Sequence, residues 1–320
     1  MRRGLAAHDT GGLRAHGGSH RGRPLVPRPD RGRGGRRGLP VRPVRPERHA
    51  RPHPGRMVRG DAAAGPGRRA ERRGQGRMKS AVVSGTSAGI GAAVAEEFLR
   101  RGYSVVGLSR RGNAELAAHG EYLDLRADLR DGDAVRSALA GLGAEVTAGL
   151  CAVVLNSGAS PAPSPLAEAT WESAADAYAS NVATALHLVQ ATVPFLRGRG
   201  GGSLTFIGSS TANGREPSRW PYAASKAALT SLMRACSVEF ADDRVVANEV
   251  RPGPVATAMT VGGMGERGNA GERFLGLLNS GYQTDWLKPA STVARWVVDL
   301  AEFPANGPTG QVFNYSRKVV

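Results

Sequence analysis

From Met78 onward, short apolar runs alternate with longer stretches in which apolar residues recur every three or four positions. The runs at 81–84, 104–109, 122–125, 150–156, 203–208, 245–250 and 311–314 read as seven strands. They are mostly apolar instead of alternating regularly with polar residues, which implies a parallel sheet covered on both faces. The stretches between them, among them 92–101, 171–197 and 221–241, carry helical spacing. Strands alternating with helices predict a doubly wound α/β sheet whose ligand lies beyond the carboxyl ends of its strands.

Residues 1–77 break that pattern. They hold 21 Arg, no Lys and only five acidic residues, and they lack Phe, Trp and Tyr. Such an Arg/Gly/Pro-rich segment cannot bury enough apolar surface to offset chain entropy, so a disordered tail is expected there and a folded domain over 78–320. Three readings of the tail stand: a nucleic-acid-binding arm, a targeting peptide, or translation upstream of a native start at Met78, the last being the expectation. Without the tail the chain carries 22 basic and 22 acidic residues, so the whole-chain charge of +16 says nothing of the domain's partners. No run approaches the 18 apolar residues of a membrane span. Cys151 and Cys236 stand apart without metal-ligand spacing, which suggests a reducing, cytoplasmic setting and no metal.

Two motifs carry chemistry. The first strand runs into Ser84-Gly85-Thr86-Ser87-Ala88-Gly89-Ile90-Gly91 and then a helix. Glycines at 85, 89 and 91 allow a sharp turn and close approach to a ligand, and the free N–H groups of the helix that follows attract a pyrophosphate. The spacing is GxxxGxG and differs from the common GxGxxG fingerprint. Far downstream, Tyr222-Ala223-Ala224-Ser225-Lys226 sets a phenol and an ammonium on one helix face. A nearby cation stabilises a phenolate and draws its pKa toward the working pH, as general acid/base catalysis requires.

Together these motifs resemble the short-chain dehydrogenase/reductase family, in its compact single-domain group with a Rossmann-type sheet. Further segments fit: Leu155-Asn156-Ser157-Gly158-Ala159 resembles the family's Asn-Asn-Ala-Gly, Asn181 its helix asparagine, and Arg251-Pro252-Gly253-Pro254-Val255-Ala256-Thr257 its Pro-Gly segment. Phe206-Ile207-Gly208-Ser209-Ser210 offers two hydroxyls where the family has one catalytic serine, and Ser209, 13 residues before Tyr222, is favoured over Ser210. The resemblance implies that Ser209 holds a carbonyl oxygen and Tyr222 exchanges its proton. Lys226 would lower the tyrosine pKa and bond the nicotinamide ribose, and Asn181 would hold a water leading to Lys226. Cofactor contacts are implied for Gly85, Ser87, Gly89, Ile90, Gly91, Asp128, Leu129, Asn156, Gly158, Tyr222, Lys226, Pro252, Gly253, Val255 and Thr257.

After the second strand, Arg110-Arg111 stands where an acidic residue would accept the adenosine ribose hydroxyls of NAD. Guanidinium pairs with a ribose 2′-phosphate, so NADP(H) is favoured over NAD(H), the alternative being a solvated basic turn. Asp128 serves equally as a helix N-cap. The expected activity is NADPH-dependent interconversion of a small-molecule ketone or aldehyde and its alcohol. The alternatives are a non-catalytic dinucleotide sensor and an epimerase or dehydratase of the extended relatives. A serine hydrolase is excluded, since His119 and His187, the only histidines after the tail, lie near no GxSxG pattern. The long helices over 171–197 and 221–241 suggest a homodimer or homotetramer face. Residues 259–287 resemble a substrate lid, and Trp220, Pro221, Tyr282 and Trp286 suggest a pocket for an apolar or aromatic ketone.

Overall fold

The computed structural model describes residues 78–214, 216–260 and 287–316. The tail over 1–77 and most of the lid, Tyr282 and Trp286 included, lie outside them. Seven strands form one sheet: β1 (Ser80–Ser84), β2 (Ser104–Ser109), β3 (Tyr122–Arg126), β4 (Leu150–Leu155), β5 (Gly202–Ile207), β6 (Val245–Arg251) and β9 (Val312–Asn314). All neighbours are parallel, in the order β3-β2-β1-β4-β5-β6-β9. A short separate pair, β7 (Val255–Ala256) with β8 (Lys288–Pro289), lies beside it in sequence. The strand order reverses between β1 and β4, which is where a doubly wound sheet opens a crevice.

The helices are α1 (Gly89–Arg100), α2 (Ala114–Ala117), α3 (Gly132–Ala140), α4 (Ala144–Gly149), α5 (Trp171–Tyr178), α6 (Thr184–Arg199), α7 (Trp220–Glu239) and α8 (Ala290–Ala301). Two apolar clusters show how they cover the sheet. Val82, Val106 and Val153 face one layer, with Leu188 and Leu196 of α6 and Leu229 and Met233 of α7. Ala81, Val83 and Val154 face the other, with Val94 and Phe98 of α1 and Val293 and Val297 of α8. Adjacent residues of one strand thus enter opposite apolar layers, which is why the central strands β1, β2 and β4 read as nearly continuous apolar runs.

On the second layer α1 is fastened to the end of α8. Arg101 reaches Asp299 at 2.7 Å, Glu302 at 2.6 Å and Glu97 at 2.8 Å. Hydrogen bonds from Arg100 hold the Glu97 carboxyl down to about 2. On the first layer the helix expected over 171–197 runs without a break to Arg199 but changes pitch part-way. A single π-turn, Ala179–Ala183, separates α5 from α6 and carries Asn181. Hydrophobic spacing does not reveal such a bulge, because one inserted residue leaves both flanking faces apolar; π-bulges gather at functional sites. No helix among the described residues is long and apolar enough to cross a membrane.

Candidate active site

Beyond the carboxyl ends of β1, β2 and β4 lies a crevice of about 330 Å³. Eleven residues expected to touch a cofactor line it: Gly85, Ser87, Gly89, Ile90, Arg110, Arg111, Asp128, Leu129, Asn156, Gly158 and Thr257. Gly85 and Gly89 hold φ of +74° and +64°, a region that L side chains rarely adopt. No side chain caps the first turn of α1, whose N–H groups therefore remain available at the crevice floor. Gly91 does not line the crevice and works from behind: a Cβ there would fall 2.3 Å from the Gly85 carbonyl oxygen. Asn156 secures the same corner, its Nδ2 donating to the Ser84 carbonyl at 2.9 Å while its own N–H donates to Ser84 Oγ at 2.9 Å. A polyphosphate fits this cradle of uncapped helix end and bare glycine backbone, and the two exposed arginines at its rim fit a further anion.

The acid/base group comes from other elements. Tyr222 and Lys226 project from the first turns of α7, and Ser209 follows β5. Ser209 is near enough to the Tyr222 phenol to hold its pKa down, and it also caps the turn at Ser210–Asn213 by accepting from the Thr211 N–H at 3.2 Å. Local capping and approach to the phenol thus belong to one serine. Lys226 is buried, donating from Nζ to the Ile207 carbonyl at 2.9 Å, with Nζ 5.9 Å from the Tyr222 ring centroid. Burial pushes its pKa down to about 8, against the charge of Glu249, which opposes the fall.

Asn181 is wholly buried, its Nδ2 donating to the carbonyls of Ala159 at 2.8 Å and Ala177 at 2.9 Å. These two acceptors fix the amide's orientation and leave Oδ1 without a partner. Oδ1 faces Gly158, where a Cβ would meet it at 2.4 Å and Lys226 Nζ at 3.5 Å. Gly158 therefore joins the crevice wall to the acid/base group.

Several expectations are corrected. The Tyr222 phenol is not drawn down by Lys226. Burial pushes it up, and the opposing influences are the Ser209 hydrogen bond and the charge of Arg219. Asp128 does not cap a helix; Asp131 caps α3, while Asp128 accepts from the Arg130 N–H at 3.0 Å in a local turn. Pro252, Gly253 and Val255 do not line the crevice: Val255 is buried in the apolar layer, and Gly253 lies against Ser316. The sequence reading also passed over Arg130, a crevice residue paired with Asp176 at 2.9 Å, and Ser180 and Thr184, which the π-turn brings to the wall. Arg130 follows Asp128-Leu129 directly, and a third basic residue in that position was the available signal.

The sheet order and the crevice at its reversal define a Rossmann-type α/β protein. The family model described as short chain dehydrogenase matches residues 79–264. The chain belongs to the short-chain dehydrogenase/reductase family of oxidoreductases. An oxidoreductase, asL5, of Sarocladium schorii is 30% identical over 202 residues, covering 59% of this chain and 77% of that protein. The fold is shared with 3-ketoacyl-(acyl-carrier-protein) reductase from Brucella melitensis complexed with NADH, at TM-score 0.64 and 19% identity over 74% of this chain and 96% of that one. It is shared equally with serine dehydrogenase complexed with NADP+, at TM-score 0.62 and 21% identity over 73% and 93%.

Proposed function

We propose that this protein is an NADPH-dependent carbonyl reductase whose proton donor is Tyr222. The observation that carries the reading is the grouping of Ser209, Tyr222 and buried Lys226 next to a glycine-lined crevice, with crevice residue Gly158 so close that a Cβ there would lie 3.5 Å from Lys226 Nζ. The bound nicotinamide would supply hydride, and the protein's part is to bind, orient and move a proton. Gly85, Ser87, Gly89 and Ile90 receive the pyrophosphate, and Arg110 and Arg111, both exposed at the rim, pair with a ribose 2′-phosphate. Ser209 donates to the carbonyl oxygen of a ketone or aldehyde while Tyr222 protonates it. Lys226 would hold the nicotinamide ribose, and the unpartnered Asn181 Oδ1 beside Gly158 would accept from a water that returns a proton through Lys226.

The exposed Trp171, Tyr178 and Leu186 on α5 and α6 support association through that face into a homodimer or homotetramer. The free thiols of Cys151 and Cys236 suit a reducing cytoplasm. The test is oxidation of NADPH and of NADH by the purified protein against a panel of aliphatic and aromatic ketones and aldehydes. Turnover with NADPH, lost in Tyr222→Phe, is expected. Arg110→Ala/Arg111→Ala should weaken NADPH and spare NADH. Tight NADPH binding with no carbonyl reduced, and no effect of Tyr222→Phe, would instead identify a dinucleotide sensor.

A further inference from the structure

The segment just before α7 presents two charged side chains to the acid/base group. Arg219 lies with its Cζ 5.6 Å from the Tyr222 ring centroid, slightly closer than Lys226 Nζ at 5.9 Å. The guanidinium is held from two directions. Its Nη2 donates to Ser160 Oγ at 2.9 Å, in the loop after β4, and its Nε lies 3.6 Å from Glu216 Oε2. That Nε is buried without a hydrogen-bond partner of its own. Glu216 is tied back in turn, since Thr211 Oγ1 donates to its Oε1 at 3.0 Å, and Thr211 belongs to the turn that Ser209 caps. A chain of contacts results, running from Ser209 through Thr211, Glu216 and Arg219 to Tyr222. Ser218, at φ +61°, strains the backbone to deliver Arg219, and its carbonyl is gripped by the Ser164 N–H at 2.9 Å.

We propose that Arg219, with Glu216 as its counter-charge, is the positioning residue that sets the orientation of the Tyr222 ring and the electric field on its phenol. The inference rests on the role given to Tyr222 above. Among the described residues, the charged groups that face the phenol are Arg219 and Glu216 from the preceding loop and Lys226 from its own helix; Glu249 of β6 acts on Lys226. Lys226 is a poor source of a constant field. With its pKa near 8 it loses charge within the working range, and its ammonium is already engaged by the Ile207 carbonyl. A guanidinium, by contrast, is a fixed positive charge with donors in a rigid fork. Its charge favours the phenolate, and Glu216 opposes it, so the two side chains bracket the tyrosine from opposite signs.

The opposite signs make the test. The Tyr222 phenol is followed by pH titration of 13Cζ-labelled tyrosine, its resonance assigned by its disappearance in Tyr222→Phe. Because Arg219 is one-third exposed, solvent weakens its effect, and the expected upward shift in Arg219→Gln is about 0.5–1 pH unit. Glu216→Gln should move the titration down, and Arg219→Lys should restore at least half of the Arg219→Gln shift. The alkaline limb of the kcat/KM profile for NADPH-dependent reduction should follow the same order, with the Kd for NADPH unchanged. A phenol that titrates alike in all variants, or that moves the same way in Arg219→Gln and Glu216→Gln, would mean that the pair merely braces the loop and would overturn the proposal. The titration needs no substrate. Ordered shifts without any carbonyl turnover would refute the reductase reading alone, and turnover with no shifts would refute this inference alone.

Discussion

Glu249 is completely buried on β6, an uncommon place for a carboxylate in a parallel sheet. Its Oε1 accepts from Arg251 Nε at 2.6 Å, its Oε2 has no hydrogen-bond partner, and it presses so closely on Gly208 that a Cβ there would meet Oε1 at 2.0 Å. Arg251 links this carboxylate outward, its Nη2 donating to Thr230 Oγ1 at 3.0 Å and its Nη1 to Asn213 Oδ1 at 3.0 Å. Replacing Arg251 by Met strips the carboxylate of its one direct partner in a site that water does not reach. Breaking a buried pair from one side costs about 3–5 kcal/mol, whereas replacing both partners by apolar groups is neutral or stabilising. At about 2–4 °C per kcal/mol for a domain of this size, Arg251→Met should lower Tm by about 6–20 °C. Adding Glu249→Leu should recover most of that loss. The assay is thermal and urea unfolding of the wild type, both single variants and the double variant, read as a double-mutant cycle. A loss below about 1 kcal/mol in Arg251→Met, or a double variant no more stable than Arg251→Met, would refute the reasoning that an uncompensated charge sets the cost.

Gly91→Ala places a methyl group 2.3 Å from the Gly85 carbonyl oxygen and 2.6 Å from Asn156 Nδ2, neither of which can retreat. With about 1–3 kcal/mol of strain falling on the dinucleotide loop, NADPH affinity by calorimetry should weaken about tenfold. Ser209→Ala should lower kcat and, by removing a cap, cost about 1 kcal/mol of stability, whereas Ser210→Ala should do neither; equal effects on kcat would reassign the serine. Lys226 supplies a pH dependence. Its folded pKa, about 8, lies below its ordinary 10.5, so between these values the unfolded chain binds more protons and stability rises with pH. The gain from this group across that window is about 3 kcal/mol, to be seen as the difference between wild type and Lys226→Met unfolded in urea from pH 7 to 10. A difference that does not change with pH would show that the ammonium is not desolvated.

Much of this protein is legible in local pattern. Strands covered on both faces are mostly apolar, so β1, β2, β4 and β5 stand out as apolar runs, and the alternation of strands with helices restricts the sheet to parallel order. The glycine turn is legible for a similar reason: a positive φ at Gly85 and Gly89 and the contact behind Gly91 each forbid a side chain, and that constraint is written into three residues. Tyr222 and Lys226 are legible because one helical turn separates them. What the chain folds around is not legible, since fields, burial and bulges depend on residues far apart in sequence. Spacing alone put Lys226 in charge of the phenol, but the fold turns its ammonium to the Ile207 carbonyl, buries the phenol, and brings Arg219 over the ring. The π-turn that buries Asn181, the dual role of Ser209 and the carboxylate of Glu249 beneath Gly208 likewise arise only where β5, β6, α5 and α7 meet. Periodicity reports which side of an element is dry; how strongly a polar group is stabilised there depends on its neighbours in space, and only the assembled sheet and helices choose those.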